Sequence, residues 1–122
     1  MSVEIEVDAK GMEELREKMQ RVDSAMQRNV HRQLASLGAD IKAMARQIVP
    51  VRTGRLRASI YARVEEWMLK IGAEAPYAYF VEAGTTFFRG FFFLTRSIQM
   101  HLPQLKAIIS QAINESVQEA GS

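Results

Sequence analysis

Val3, Ile5 and Val7 alternate with Glu4, Glu6 and Asp8, the two-residue period of a strand with one buried face and one acidic, outward face. From Met12 the period lengthens. Met12, Leu15, Met19, Val22, Met26, Val30, Leu34, Leu37, Ile41, Met44 and Ile48 recur every three or four residues with charged and amide residues between them, which predicts a long amphipathic helical region. Unbroken, it would reach roughly 55 Å at a rise of 1.5 Å per residue, longer than a compact domain of this size covers. Asp23 and Ser24 offer side chains that cap a new helix start, so helices are expected near 11–21 and 24–48. The methionines of the stripe read as ordinary core filling.

Past Pro50, residues 56–64 and 67–71 form β-rich runs separated by Glu65 and Glu66, the spacing of a hairpin without an Asn-Gly turn. APYAYFVEAGTT follows, punctuated by Pro76 and Gly84, and reads as a strand or a single helical turn. Leu94, Ile98, Leu102, Leu105, Ile109, Ile113 and Val117 describe a final amphipathic helix in which Pro103 predicts a kink, and residues 118–122 are expected to fray. The order predicts an α+β fold: an N-terminal strand, a long broken helical region, a small antiparallel sheet, and a C-terminal helix packed on one face. Residues 1–122 are expected to form a single domain.

The 122 residues are 48% hydrophobic, enough for one core, and the formal net charge is only +2. Its distribution is uneven. Lys42, Arg46, Arg52, Arg55, Arg57 and Arg63 occur with no acidic residue among them, whereas acidic residues dominate positions 2–17. Such a lopsided monomer suits head-to-tail packing of identical subunits as well as it suits phosphate binding. The chain has no cysteine, which removes disulfides, thiolate metal sites and cysteine nucleophiles. An acidic, alternating N-terminus and the absence of any run near 18 apolar residues predict a soluble protein made without a secretion step or membrane contact.

Little in the sequence points to catalysis. His31 and His101 stand in separate helical segments, the carboxylate pairs Glu13-Glu14 and Glu65-Glu66 point apart, and Gly54 and Gly84 are isolated rather than part of a phosphate loop. Ser59 and Ser97 lack a nucleophile elbow. No catalytic residue, metal or cofactor is expected.

Three clusters remain. In VPVRTGRLRASI, from Val49 to Ile60, Pro50 ends a helix, Gly54 permits a tight reversal, and Arg52, Arg55 and Arg57 are planar, permanently charged forks. The second cluster is Tyr77, Tyr79, Glu82, Gly84 and Thr85. Either it is a β-edge or turn with half-buried tyrosines and Glu82 answering a nearby arginine, or Glu82 pairs with Arg52, Arg55 or Arg57 of the same or the next subunit. In the third, Phe87, Phe88, Phe91, Phe92 and Phe93 surround Arg89-Gly90. Phe93 and Leu94 are expected inward, Phe87 and Phe88 at an interface.

In order and spacing these pieces resemble a phage family, the minor tail or tail-completion proteins of long-tailed lambdoid-type phages, also called head-tail joining or neck components. The resemblance lies in a helix ending at Pro50 and running into TGRLRASI, then PYAYFVEAGT from Pro76 to Thr85, then a Phe-Leu pair at Phe93-Leu94 opening the last helix. It implies Thr53, Gly54, Leu56, Arg57 and Ser59 as the family positions of the first motif, and Tyr77, Ala78, Glu82, Gly84 and Thr85 as those of the second. Phe92 stands where the family usually has proline. The implied role is structural: a subunit of a homo-oligomeric ring at the tail-capsid junction, in the virion and assembled in the host cytoplasm, with other tail and connector proteins as partners. The source would be an active phage or a resident prophage, and any DNA contact would be independent of sequence. The alternative from another class is a small DNA-binding protein using the basic stretch 42–63.

Overall fold

The computed structural model describes residues 1–50, 54–87 and 89–121, so the expectations for Arg52, Thr53 and Phe88 lie outside the described residues. In chain order the elements are β1 (Val3–Val7), α1 (Met12–Met19), α2 (Ser24–Ile48), α3 (Arg55–Ser59), β2 (Ile60–Glu65), β3 (Met68–Ala73), α4 (Ala78–Ala83) and α5 (Phe93–Gly121). This is the α+β arrangement read from the sequence. The helical region breaks where the capping argument placed the break: the Asp23 carboxylate accepts from the Met26 amide at 2.8 Å. Gln27 Nε2 then donates to the carbonyl of Met19 at 2.7 Å and to that of Val22 at 3.4 Å, fixing the corner between the two helices.

The three strands pair antiparallel in the order β1-β3-β2. Val7, Leu69, Ile71, Ala73 and Ile60 are buried and join Leu34, Ile41, Phe93, Leu94, Leu105 and Ile109 in one core. Helix α2 lies over β2 and runs against its direction. Arg46 Nη2 reaches the Ile60 carbonyl at 3.5 Å, Gly38 sits over Ala62, and His31 meets Trp67 with ring centroids 4.0 Å apart. A Cβ on Gly38 would stand 2.9 Å from Leu69 Cδ1 and 3.3 Å from Ala62 Cβ, so the glycine is what lets the helix approach the sheet this closely.

The opposite face of the sheet is polar and internally paired. Arg63 bonds Glu4 at 2.9 Å and Glu65 at 3.5 Å, while Lys70 reaches Glu65 at 3.3 Å and Glu6 at 3.9 Å. Tyr61 and Glu4 both stand opposite Gly72, from either side. With no side chain at Gly72, the tyrosine ring lies across β3 and its hydroxyl donates to Glu4 Oε2 at 2.5 Å. Burial, and then the hydrogen bond to the Glu4 carboxylate, push the Tyr61 hydroxyl up to about 12. The same hydrogen bond, with Arg63 beside it, holds Glu4 below its ordinary value. Individually such exposed ion pairs contribute about 0–1 kcal/mol, so the network sets side-chain positions more than it stabilises the fold.

One expectation is corrected and the others gain detail. Residues 56–59 are helical, not the start of a strand: Gly54, at φ 83°, opens α3, Ser59 Oγ donates to the Leu56 carbonyl at 2.8 Å, and the strand begins only at Ile60. Leu56 is buried, so the turn is held by an apolar anchor. The hairpin closes on the pair Glu65 and Met68, and Glu66 between them takes a left-handed φ of 51°, which replaces the missing Asn-Gly signal. Of the two readings for the tyrosine segment, the helical turn is the one observed, as α4. Helix α5 runs through Pro103 as one 29-residue helix. The ring removes a single ladder bond, and packing of Ile98, Leu105 and Ile109 in the core keeps the helix going on both sides.

Candidate subunit interface

Helix α4 ends at Gly84, whose φ of 86° turns the chain back over its own last turn. The returning segment is fixed by its backbone: Gly84 bridges Arg89, the Phe91 amide donates to the Val81 carbonyl at 2.9 Å, and the Phe92 amide to the Glu82 carbonyl at 3.0 Å. Gly90 permits this contact, since a Cβ there would stand 2.5 Å from the Glu82 carbonyl oxygen and 2.6 Å from the Ala83 carbonyl carbon.

Phe92 then takes a φ of 51° and its carbonyl accepts from the Arg96 amide at 2.8 Å, the first turn of α5. A phenylalanine has no acceptor with which to cap that helix. Glu82 supplies it from α4. The Glu82 carboxylate is only 5% exposed and accepts from the amides of Leu94 at 2.8 Å and Thr95 at 3.3 Å, and from the Thr95 hydroxyl at 2.6 Å. A negative group against the unpaired amides of a helix start is doubly favourable, through hydrogen bonds and through the helix dipole. Both readings gave Glu82 an arginine partner, nearby or on the Arg52–Arg57 loop; instead its carboxylate is turned inward and joins α4 to α5. Proline, with φ fixed near −65°, could not adopt the Phe92 conformation, so this entry into the last helix excludes it.

The aromatic side chains around this joint divide sharply. Phe93 and Leu94 are fully buried, as expected. Phe87 is 95% exposed, and Tyr77, Tyr79, Phe80, Phe91 and Phe92 all lie at about 40% exposure. The Thr85 hydroxyl accepts from the Phe87 amide at 3.1 Å, which tightens the loop that presents Phe87. Phe80 was missed in the sequence because its neighbours read as a strand or turn; on α4 it stands edge-on to Tyr79 at 5.8 Å. Six exposed aromatic residues thus sit on a short helix and a loop that is hydrogen-bonded to it.

The arginines form a separate group. Arg55 and Arg57 are exposed on α3, and Arg57 lines a shallow depression with Arg46, Gly54 and Ala58. Gly54 stands in open space. Of the other basic residues between 42 and 63, Lys42 and Arg46 lie on α2, on the helical side of the sheet, whereas Arg63 lies on the opposite side, bonded to Glu4. The stretch is not one continuous basic face. Among the described residues no group of three metal-binding side chains is found, and no helix is long and apolar enough to cross a membrane.

Comparison with protein families matches residues 13–84, from α1 to the Gly84 turn, to the HK97-gp10-like family, described as "Bacteriophage HK97-gp10, putative tail-component". The chain belongs to this family. The match spans more than half the chain and takes in the first motif, from Thr53 to Ile60, and the second as far as Gly84, two of the three on which the resemblance to phage tail proteins rested. Membership makes this protein a phage tail component and places it in the virion. The phenylalanine loop and α5 lie beyond the matched span. Neither curated proteins nor solved structures give a match.

Proposed function

We infer that this tail component is a structural subunit of a homo-oligomeric ring at the tail-capsid junction, completing the tail and joining it to the connector. The observation that carries this reading is the aromatic surface of Tyr77, Tyr79, Phe80, Phe87, Phe91 and Phe92, held on a hydrogen-bonded scaffold rather than a loose loop. Aromatic area displayed this way is enriched at protein interfaces and disfavoured on a free surface. Contacts with neighbouring chains would use these side chains together with Gly54, Arg55, Arg57 and Thr85, while Glu82 holds the scaffold from beneath. Arg52, Thr53 and Phe88 belong to the same two segments and are proposed with them. The subunit needs no catalytic group for this role.

Light scattering and negative-stain imaging of the purified protein test the reading directly, with rings expected. A strict monomer at all concentrations, together with normal tail joining by an Arg55→Glu, Arg57→Glu variant and by a Tyr79→Ser, Phe87→Ser variant, would overturn it. The DNA-binding alternative predicts a duplex affinity that falls steeply with salt. The division of the basic stretch between two sides of the sheet weighs against it, and a flat gel-shift at low salt removes it.

A further inference from the structure

The aromatic surface stands at one end of the sheet. The Tyr79 amide donates to the Met1 carbonyl at 2.9 Å, beside the start of β1, and the Glu74 amide donates to the Ser59 carbonyl at 3.2 Å, beside the start of β2. Helix α5 leaves from this end. Its Ile109 side chain lies over Gly11, just past the far end of β1, where a Cβ would stand 3.0 Å from it. Phe93 and the loop before it are thus roughly 24 Å back along the helix at a rise of 1.5 Å per residue.

At the other end of the sheet, an open groove of about 670 Å³ runs between the first half of α2 and the end of β2, bordered by Arg28, His31, Arg32, Ala35 and Val64. Its volume falls in the range of about 300–1,000 Å³ that receives a small molecule, ample for one aromatic side chain. Trp67, in the hairpin turn, packs against His31 and backs one wall. No carboxylate is among the described residues that border the groove. Arg28 and Arg32 are exposed and make no ion pair among the described residues, whereas Arg63 and Lys70 each reach two carboxylates. A guanidinium without an acid stacks well on the face of an aromatic ring.

We propose that Phe87 of one copy of this chain inserts its ring into the groove of Arg28 and Arg32 on the next copy. The proposal rests on the ring reading above and adds to it the surface that receives the aromatic side chains. A closed ring needs two different patches on each subunit, and the aromatic surface and the groove are different patches at opposite ends of the sheet. Their chemistry is complementary, π faces on one and unpaired cations on the other. The aromatic surface packed on itself would stop at a two-fold dimer and leave both arginines uncovered. Phe87 is the most exposed of the aromatic residues, at 95%, and the Thr85 hydroxyl tightens the loop that carries it.

The chain has no cysteine and one tryptophan, so both ends of the contact can be probed. Phe87→Cys subunits are mixed in dilute solution with Ala35→Cys or with Arg32→Cys subunits, then concentrated and mildly oxidised. At least one mixture should give cross-linked heterodimers, with no cross-link in any variant alone. Phe87→Ser and the double variant Arg28→Ser, Arg32→Ser change only exposed side chains, and circular dichroism checks their folding. Each should raise the concentration needed for assembly at least about 30-fold, as loss of an interface hot spot does. Trp67 fluorescence should change as the wild type assembles. Dimers from Phe87→Cys alone overturn the proposal. So does an oligomeric wild type for which neither mixture gives a heterodimer, a result that leaves the ring reading standing. Fluorescence that responds to a duplex oligonucleotide and not to assembly assigns the groove to phosphates and overturns it too. A wild type that is monomeric at every concentration and forms no cross-link goes against both readings.

Discussion

Replacing Glu82 tests whether one buried carboxylate holds the last helix to the body of the protein. Glu82→Ala removes the acceptor for the Leu94 amide at 2.8 Å, the Thr95 amide at 3.3 Å and the Thr95 hydroxyl at 2.6 Å. Loss of a helix cap costs about 0.5–2 kcal/mol, and bonds to a charged partner about 1.5–3 kcal/mol each before non-additivity. The Leu94 amide lies in a buried setting where water replaces the lost acceptor poorly, so a total near 3 kcal/mol is expected. With an unfolding entropy of about 2.1 cal/mol/K per residue, the chain has roughly 0.26 kcal/mol/K at its midpoint, and the melting temperature should fall by about 12 °C. Glu82→Gln keeps one oxygen for Leu94 and should lose about half as much. Thermal and urea unfolding at one fixed protein concentration measure both, and a Glu82→Ala, Thr95→Val cycle should show strong coupling. A Glu82→Ala variant within about 0.5 kcal/mol of wild type, where ordinary surface substitutions fall, would refute the capping argument.

Three further outcomes follow from local geometry. Glu66→Gly should raise stability by about 0.5 kcal/mol in urea unfolding, because it relieves a left-handed φ of 51° at the cost of some chain entropy. Gly72→Ala should lower it by about 2 kcal/mol, since the new Cβ would stand 2.5 Å from the Tyr61 hydroxyl and 2.7 Å from the Val3 carbonyl, the second of which is backbone and cannot swing away. The Glu4–Tyr61 pair should narrow the pH range of stability at both ends: Glu4, lowered from 4.5, contributes fully above that value and loses its contribution as pH falls through its folded value, whereas Tyr61, raised from 10.0 to about 12, contributes fully below pH 10 and loses it as pH rises toward 12. Unfolding of Tyr61→Phe across pH should flatten the alkaline limb; an unchanged limb would show that this hydroxyl is not its source.

The β1 strand, the two N-terminal helices and the Asp23 break were legible in the sequence because each depends on a local signal: a two-residue period, a three-to-four-residue period, or a cap within three residues of its amide. The tail-component family was legible too, through three short motifs, two of them reached by the family match, whose residues stay together in the chain. Less accessible were element boundaries. Residues 56–59 read as strand only through the β-rich run that follows them; Leu56, Arg57 and Ala58 are helix formers, and the buried Leu56 with Gly54 at the helix start holds them helical. Two positive-φ residues, Glu66 and Phe92, carry no sequence signature, since neither is a residue that prefers that conformation.

What only tertiary structure decided is the orientation of the second motif. In the sequence Glu82 is an acid between tyrosines and a glycine, equally suited to an arginine of the next subunit or to a turn. Its fate depends on where α5 begins, twelve residues later, and on a loop that folds back so that the bare amides of Leu94 and Thr95 face it. Chain spacing determines periodicity and caps because those act over one turn. Contacts across the 84–92 loop depend on the path of the whole segment, and only the folded chain defines that path.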